Sequence, residues 1–378
     1  MKTYDLIVIG SGAAAQTVVY DCAKDGWKVA LIEERDIGGT CALRGCVPKK
    51  VIYGGSEIID RVESMKGKGI IAENVKINWN DLISFKNSFT DSQPENFKKG
   101  LEEAGIEIYQ GHARFIDEST VQVDDVMLSS RFFFIATGAT PRPLDIPGDE
   151  HVSNSDDFFD LRNLPDSIVF IGGGYISFEL AHIASMAGAD VTILHRSSRP
   201  LTQFEPDLVD LLLDATKKYG IKVETNMPVH SVEQKGDGFE VIAGEKNKRF
   251  SADLVIHGAG RIPNIKNLGL EKANVDTSKK GISVNDYMQS VSNPRVYAGG
   301  DVSDHGLPLT PVAGAEGKVV KRNLLGEKKQ PSAIGVIPST LFTLPPLSSV
   351  GLTEKQAKEK NLDFKVNMQD TSSWYTSK

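Results

Sequence analysis

The run YDLIVIGSGAAAQTVVYDCAKDGWKVALIEE, residues 4–34, holds two short apolar segments flanking a helix-compatible stretch that opens on glycines. DLIVIG and WKVALIEE are rich in Ile, Val and Leu without polar alternation, the pattern of parallel strands buried on both faces. Between them, SGAAAQTVVYDCAKDG reads as a helix closed by Gly26. Gly10, Gly12 and Ala15 fill a G-x-G-x-x-G/A turn, Ala14 lies inside it, and Glu33 stands at the end of the second strand. Glycines there permit a sharp turn and let a pyrophosphate reach the amide donors at the positive end of the helix. A carboxylate in the place of Glu33 accepts hydrogen bonds from a ribose diol.

The plan recurs further along. SIVFIGGG (167–174) reads as a strand, YISFELAHIASMAG (175–188) as a helix ending at Gly188, and DVTILHR (190–196) as the second strand. Gly172, Gly174, Tyr175 and Ile176 form this turn. Two such units in one chain predict an α/β fold with two Rossmann-like, three-layer domains, each with a dinucleotide site. Where the first unit carries Glu33 the second carries His195, followed by Arg196 and Arg199 with no carboxylate among them to repel a 2′-phosphate. Guanidinium groups bind phosphate bidentately, so NADPH is expected here in preference to NADH.

The remaining chain fits around these units. RFFFIATGATPRPLDIPG runs from a strand into a Gly/Pro-rich connection, LVIHGAGRIPN marks a return, and NPRVYAGGDVSDHG is a strand ending at Gly-Gly-Asp before a helix from about 311 to 325. The expected organisation is a first nucleotide-domain part at 1–148, an inserted second nucleotide domain at 149–265, a return to the first domain at 266–333 and a third region begun at 334–378; the family resemblance described below makes these an FAD domain in two parts, an NAD(P)H domain and the start of a C-terminal α+β interface domain. With 378 residues, 40% hydrophobic and 25% charged, and a net charge of −7, the chain reads as a soluble globular protein. No long basic run points to nucleic acid, and no apolar run reaches the ~18 residues that span a bilayer. The first residues share an apolar middle and alanine-rich end with signal peptides but fit a buried strand and glycine turn better, so a cytoplasmic location is expected.

GGTCALRGCVPKK, residues 38–50, holds two of the three cysteines, Cys41 and Cys46. A metal site would need two further ligands, yet Cys22 falls inside the first helix and the seven histidines show no paired spacing. A redox pair explains more: a thiol at a helix start beside Arg44, Lys49 and Lys50 has its thiolate stabilised. Pro48 is expected to distort that helix. Cys22 reads as a small core residue.

These residues together resemble the class I pyridine nucleotide-disulfide oxidoreductases, the group of glutathione reductase, dihydrolipoyl dehydrogenase and mercuric reductase. The resemblance covers essentially residues 1 to 360 and rests on GSGAAA, GGTCALRGCVPKK, ATG at 136–138, GGGYISFE, GRIPN, GGD at 299–301 and FTLPPLSSVGLTE, in family order. It implies that the first fingerprint, Glu33, Gly39, Thr40, Ala136, Thr137, Gly138, Gly300 and Asp301 contact FAD. The second turn, His195, Arg196, Arg199, Gly260 and Arg261 would then serve the nicotinamide nucleotide. Lys49 would lie against the flavin paired with Glu179, and Tyr175 would gate the nicotinamide pocket. The implied relay passes a hydride from NADPH to FAD and then electrons to a Cys41–Cys46 disulfide. Cys46 would face the flavin, and Cys41 would attack a low-molecular-weight disulfide substrate.

The sequence also departs from the family. Its catalytic histidine and partner glutamate come near the end of the C-terminal domain, contributed across a homodimer, and this chain is expected to stop before them. Tyr20 or Asp21, and Lys318, stand where glutathione reductases carry substrate-binding arginines, and His195 stands where lipoyl dehydrogenases carry an acidic residue. Glutathione-reductase-like turnover leads; a lipoyl dehydrogenase, a mercuric-reductase-like enzyme or an FAD-binding remnant without disulfide turnover are the alternatives.

Overall fold

The computed structural model describes residues 1–326 and 329–375. The first unit folds as strand β1 (Lys2–Ile9), helix α1 (Ala13–Lys24) and strand β2 (Val29–Glu33). The dicysteine segment follows as a short helix α2 (Gly39–Leu43) and a long one, α3 (Cys46–Ser64), then α4 (Trp79–Thr90) and α5 (Gln93–Glu103). Pro48 does not distort α3 as expected. It lies in the first turn, where its missing N–H has no helical acceptor to lose, and the Lys49 amide still donates to Gly45 O at 3.0 Å.

Strands β3 (Glu107–Gln110), β4 (Ala113–Asp117), β5 (Thr120–Val123) and β6 (Val126–Ile135) complete most of the first sheet, in the order β3-β2-β1-β6-β5-β4. Leu6, Ile7, Val8 and Ile9 are all at most 3% exposed, as strands covered on both faces require. Strand β7 (Ala139–Pro141) leads out to helix α6 (Ser155–Phe159) and the second unit: β8 (Ser167–Ile171), α7 (Tyr175–Met186) and β9 (Asp190–Leu194). Helix α8 (Pro206–Lys218) and β10 (Lys222–Glu224) follow, then the antiparallel β11 (Val229–Lys235), β12 (Gly238–Ala243) and β13 (Lys248–Ala252), and β14 (Leu254–His257). The second parallel sheet has the order β10-β9-β8-β14. Strand β15 (Arg261–Pro263) returns antiparallel to β7, so the paths out and back run side by side.

After the small pair β16 (Thr277–Ser278) and β17 (Gly281–Ile282), strand β18 (Val296–Ala298) joins the first sheet beside the carboxyl half of β6. Helix α9 (Thr310–Leu325) then packs on α1, where a Cβ on Gly317 would lie 2.6 Å from Ala14 O. That close approach brings the start of α9 over the start of α3. Strands β19 (Ser339–Leu341) and β20 (Leu347–Ser349) form a hairpin, and α10 (Glu354–Glu359) ends the regular structure. No described helix is long and apolar enough to cross a membrane.

Candidate active site

A cleft of about 1220 Å³ opens at the carboxyl ends of β1, β2 and β6, where three backbone turns converge. Gly10 has φ +98°, and a Cβ there would stand 2.4 Å from Ala136 O; Gly39 has φ +72°, with its would-be Cβ 2.5 Å from Gly12 Cα. Both positions require glycine, because a side chain would be strained and would run into the backbone of the neighbouring turn. Glu33 is held at its rim: the Ser11 amide and hydroxyl donate to Oε2 at 2.9 and 2.6 Å, and the Arg35 amide donates to Oε1 at 2.9 Å. Ser11 also accepts from the Gly38 amide at 2.9 Å, tying the glycine turn to the dicysteine segment. Nothing in the fingerprint pattern singles out Ser11, which occupies a variable slot.

Gly12, Ala14, Thr40, Ala136, Thr137 and Gly138 line the same cleft, as do Gly300 and Asp301. Ala15 is buried behind it in the core. Thr137 donates to Asn264 O at 2.7 Å, so the ATG turn is braced by the returning chain. Burial raises the Asp301 carboxyl above its usual range, opposed by the nearby Arg261 guanidinium.

Cys41 and Cys46 are free thiols on this cleft. Cys46 begins α3, and its Sγ lies 3.3 Å from the Thr310 hydroxyl at the start of α9, so two helix N-termini converge on one sulfur. A hydrogen bond from Cys41, the Thr310 contact and the Lys49 and Lys50 charges bring the Cys46 thiol down to about 6. Cys41 moves the other way, raised chiefly by holding the shared proton and by burial. The pair therefore carries one proton and one negative charge, the charge on Cys46. Cys22 is buried in the core, where burial raises its thiol to about 12.

Lys49 Nζ donates to Glu179 Oε1 at 2.8 Å, both side chains being almost fully buried. The same oxygen accepts from the Phe342 amide at 2.8 Å, and the Phe342 ring lies 3.8 Å beneath the ammonium. Thr310 and Phe342 were not anticipated; the hydroxyl before a helix-opening proline and the aromatic of FTLPP are the signals that could have found them.

The second unit is brought only partly to this cleft. Tyr175, Ile176, Glu179 and Arg261 line it, whereas Gly172, Gly174, His195, Arg196, Arg199 and Gly260 lie outside its lining, along the carboxyl ends of β8, β9 and β14. Gly172 repeats the strain of Gly10, with φ +108° and a would-be Cβ 2.6 Å from Ala259 Cα. His195 is a brace: Nδ1 accepts from the Gly173 amide at 3.1 Å and Nε2 donates to Arg199 O at 2.9 Å. Burial lowers its proton affinity, so the ring is neutral. The expected freedom from carboxylates fails at Arg199, because α8 folds Asp210 over its guanidinium to form an ion pair. Arg196 is exposed and forms no ion pair among the described residues.

A dinucleotide cradle, a polarised dithiol and a buried lysine-glutamate pair in one cleft, with a second nucleotide turn beside it, define a two-nucleotide dithiol redox enzyme. Comparison with known proteins agrees. Residues 4–317 match the family described as pyridine nucleotide-disulphide oxidoreductase. A mercuric reductase of Staphylococcus aureus is 34% identical over 371 residues, covering 97% of this chain and 68% of that protein. A glutathione reductase of Nostoc sp. is 33% identical over 380 residues, covering 97% of this chain and 82% of that protein. The HOCl-induced flavoprotein disulfide reductase RclA of Escherichia coli superposes with a TM-score of 0.84 at 27% identity, over 94% of this chain and 79% of that one. The chain belongs to the pyridine nucleotide-disulphide oxidoreductase family, and is an NAD(P)H-dependent flavoprotein oxidoreductase. The family brings FAD and a pyridine nucleotide, and the glycine cradle fits such a group, since any Cβ at Gly10 or Gly39 would collide with backbone across the turn.

Proposed function

We infer that the protein reduces a low-molecular-weight disulfide, drawing electrons from NADPH in preference to NADH. The observation that carries this reading is the Cys41–Cys46 pair, polarised within itself and placed on the cleft shared by Glu33, Lys49 and Tyr175. FAD would be held by the Gly10–Gly12, Gly39–Thr40 and Ala136–Gly138 turns, with Glu33 available to its ribose and Asp301 to its ribityl chain, and when bound would supply two-electron chemistry between nucleotide and dithiol. Lys49 and Glu179 place a fixed, water-excluded charge pair beside it.

The thiol chemistry follows from the shared proton. As Cys41 attacks a substrate sulfur, its proton can pass to Cys46, so the nucleophile forms without solvent. One substrate half leaves as a thiol and a mixed disulfide with Cys41 remains. Cys46, having passed that one proton to the first leaving sulfur, attacks the Cys41 sulfur as a thiolate, releases the second half as a thiolate that takes its proton from solvent, and closes the Cys41–Cys46 disulfide. Two electrons restore the dithiol. The preference for NADPH rests on Arg196, a guanidinium free to meet a 2′-phosphate where β9 ends without a carboxylate. The proposed domain division keeps residues 149–265 as the nucleotide unit, with the β7–β15 ribbon at its base. A homodimer and a cytoplasmic location complete the proposal.

The test is an anaerobic titration with NADPH and NADH, following the flavin spectrum. Wild-type protein should develop a long-wavelength band from the Cys46 thiolate, absent in Cys46→Ser, whose disulfide turnover should fall by about a thousandfold or more. Protein that purifies without flavin and cannot take it up would refute the reading.

A further inference from the structure

Arg44 is the only charged residue between the two redox cysteines. Its amide donates to Thr40 O at 2.8 Å, which closes α2 and sets Arg44 on the same face as Thr40. The side chain lines the cleft and is only 14% exposed. Its nearest anion is Asp156 on α6, with Nε 3.7 Å from Oδ2, too far for a hydrogen bond. That oxygen is already engaged by Arg35 Nη1 at 3.0 Å. Arg44 Nε and Asp156 Oδ1 are both buried without any hydrogen-bond partner.

Two guanidiniums thus share one carboxylate. Burial and the neighbouring Arg35 both work against the Arg44 charge, and Asp156, Glu33 and Asp36 offset them only in part through space; Glu33 makes no hydrogen bond to Arg44, its oxygens being engaged by Ser11 and the Arg35 amide. A buried cation without its own anion is costly, and a fold keeps one where a ligand completes it. The cleft opens beside the glycine turn on which a dinucleotide's phosphates rest. We propose that Arg44 is a cofactor-binding residue that recognises the diphosphate of FAD, with Asp156 orienting its guanidinium and Arg35 serving only to fix Asp156. The inference rests on the FAD reading above and assigns a role to a side chain inside the dicysteine loop.

The experiment strips the full chain of flavin and titrates it with FAD and with riboflavin, which shares the ring and lacks phosphate, reading flavin fluorescence. Arg44→Met should weaken FAD binding by about 10- to 100-fold and leave riboflavin binding within about twofold, as expected for a lost hydrogen bond to a charged group. Its FAD affinity should also depend less on salt than that of the wild type. Arg35→Met should change FAD binding by less than about threefold. Arg44→Gln, which keeps a polar head in the same place, should show the same pattern and stands in should the methionine variant not fold. Unchanged FAD affinity in the Arg44 variants, equal loss for both flavins, or an equal loss in Arg35→Met would overturn the proposal. A wild-type protein binding neither flavin would overturn the flavin reading itself, and this role with it.

Discussion

At the end of β2 the first nucleotide unit presents Glu33, a carboxylate fixed by the Ser11 amide and hydroxyl. At the end of β9 the second presents His195, a neutral ring fixed by Gly173 and Arg199, with Arg196 free beside it. The glycines ahead of them are interchangeable in geometry, with φ +98° at Gly10 and +108° at Gly172. What differs is the residue two strands of the same plan put at one spot. Under the proposed function the turn would make each unit a dinucleotide binder, and the strand end would decide which ribose it accepts, a diol or a phosphorylated one.

Substitution at the shared glycines should give the largest effects and should separate the units. Gly10→Ala and Gly172→Ala each force strain and a backbone collision, costing ~2–4 kcal/mol locally. Gly10→Ala should purify without flavin. Gly172→Ala should keep flavin yet be reduced by NADPH at least ~100-fold more slowly in stopped-flow measurements. Flavin loss from both variants would show that the clefts do not divide the work.

Next in size is the buried pair between the units. Lys49→Met leaves Glu179 charged and buried, and should lower stability by ~3–5 kcal/mol in urea unfolding. Glu179→Gln should cost less, because an amide oxygen can still accept from the Phe342 N–H. The second cleft alone is probed by the arginines. Arg196→Gln should raise the KM for NADPH by ~10- to 50-fold with little change for NADH. Arg199→Gln should change either by less than about threefold, since Asp210 already holds that guanidinium. Equal effects at 196 and 199 would sharpen the comparison differently, by showing that the Asp210 pair opens when nucleotide binds.

The smallest effect concerns Cys46. Its alkylation by iodoacetamide should rise through a midpoint near pH 6, where the thiol ionises. Because the folded thiol ionises well below the ordinary value of about 8.5, its stabilising contribution is complete above that pH and is lost as pH falls through about 6. Thr310→Val should move the alkylation midpoint upward by less than about one pH unit, the value of a single hydrogen bond. An unmoved midpoint would leave the Cys41 hydrogen bond and the two lysines as the whole cause.

The two βαβ units were legible because their signals are local: apolar runs, a glycine turn and a strand end within a few dozen residues. The closeness of Cys41 and Cys46 was legible for the same reason. The partners that complete the site were not. Thr310 reaches Cys46 only because Gly317 lets α9 sit close on α1, and Phe342 reaches Glu179 only because β19 ends there. Asp210 cancels the reading of Arg199 from a helix that follows it, and His195 spends both nitrogens on the loop. Pro48 misled because the helix begins at Cys46, which turns a breaker into a first-turn residue.

The carboxylate of Glu179 gathers Lys49 and the Phe342 amide, segments separated by about 300 residues of chain. At a synthesis rate of ~5–20 residues per second, that interval is roughly 15 to 60 s on the ribosome. Throughout it the Lys49 and Glu179 side chains lack the backbone amide and the aromatic ring that complete their pocket, so the charge pair is assembled last although its lysine is made early.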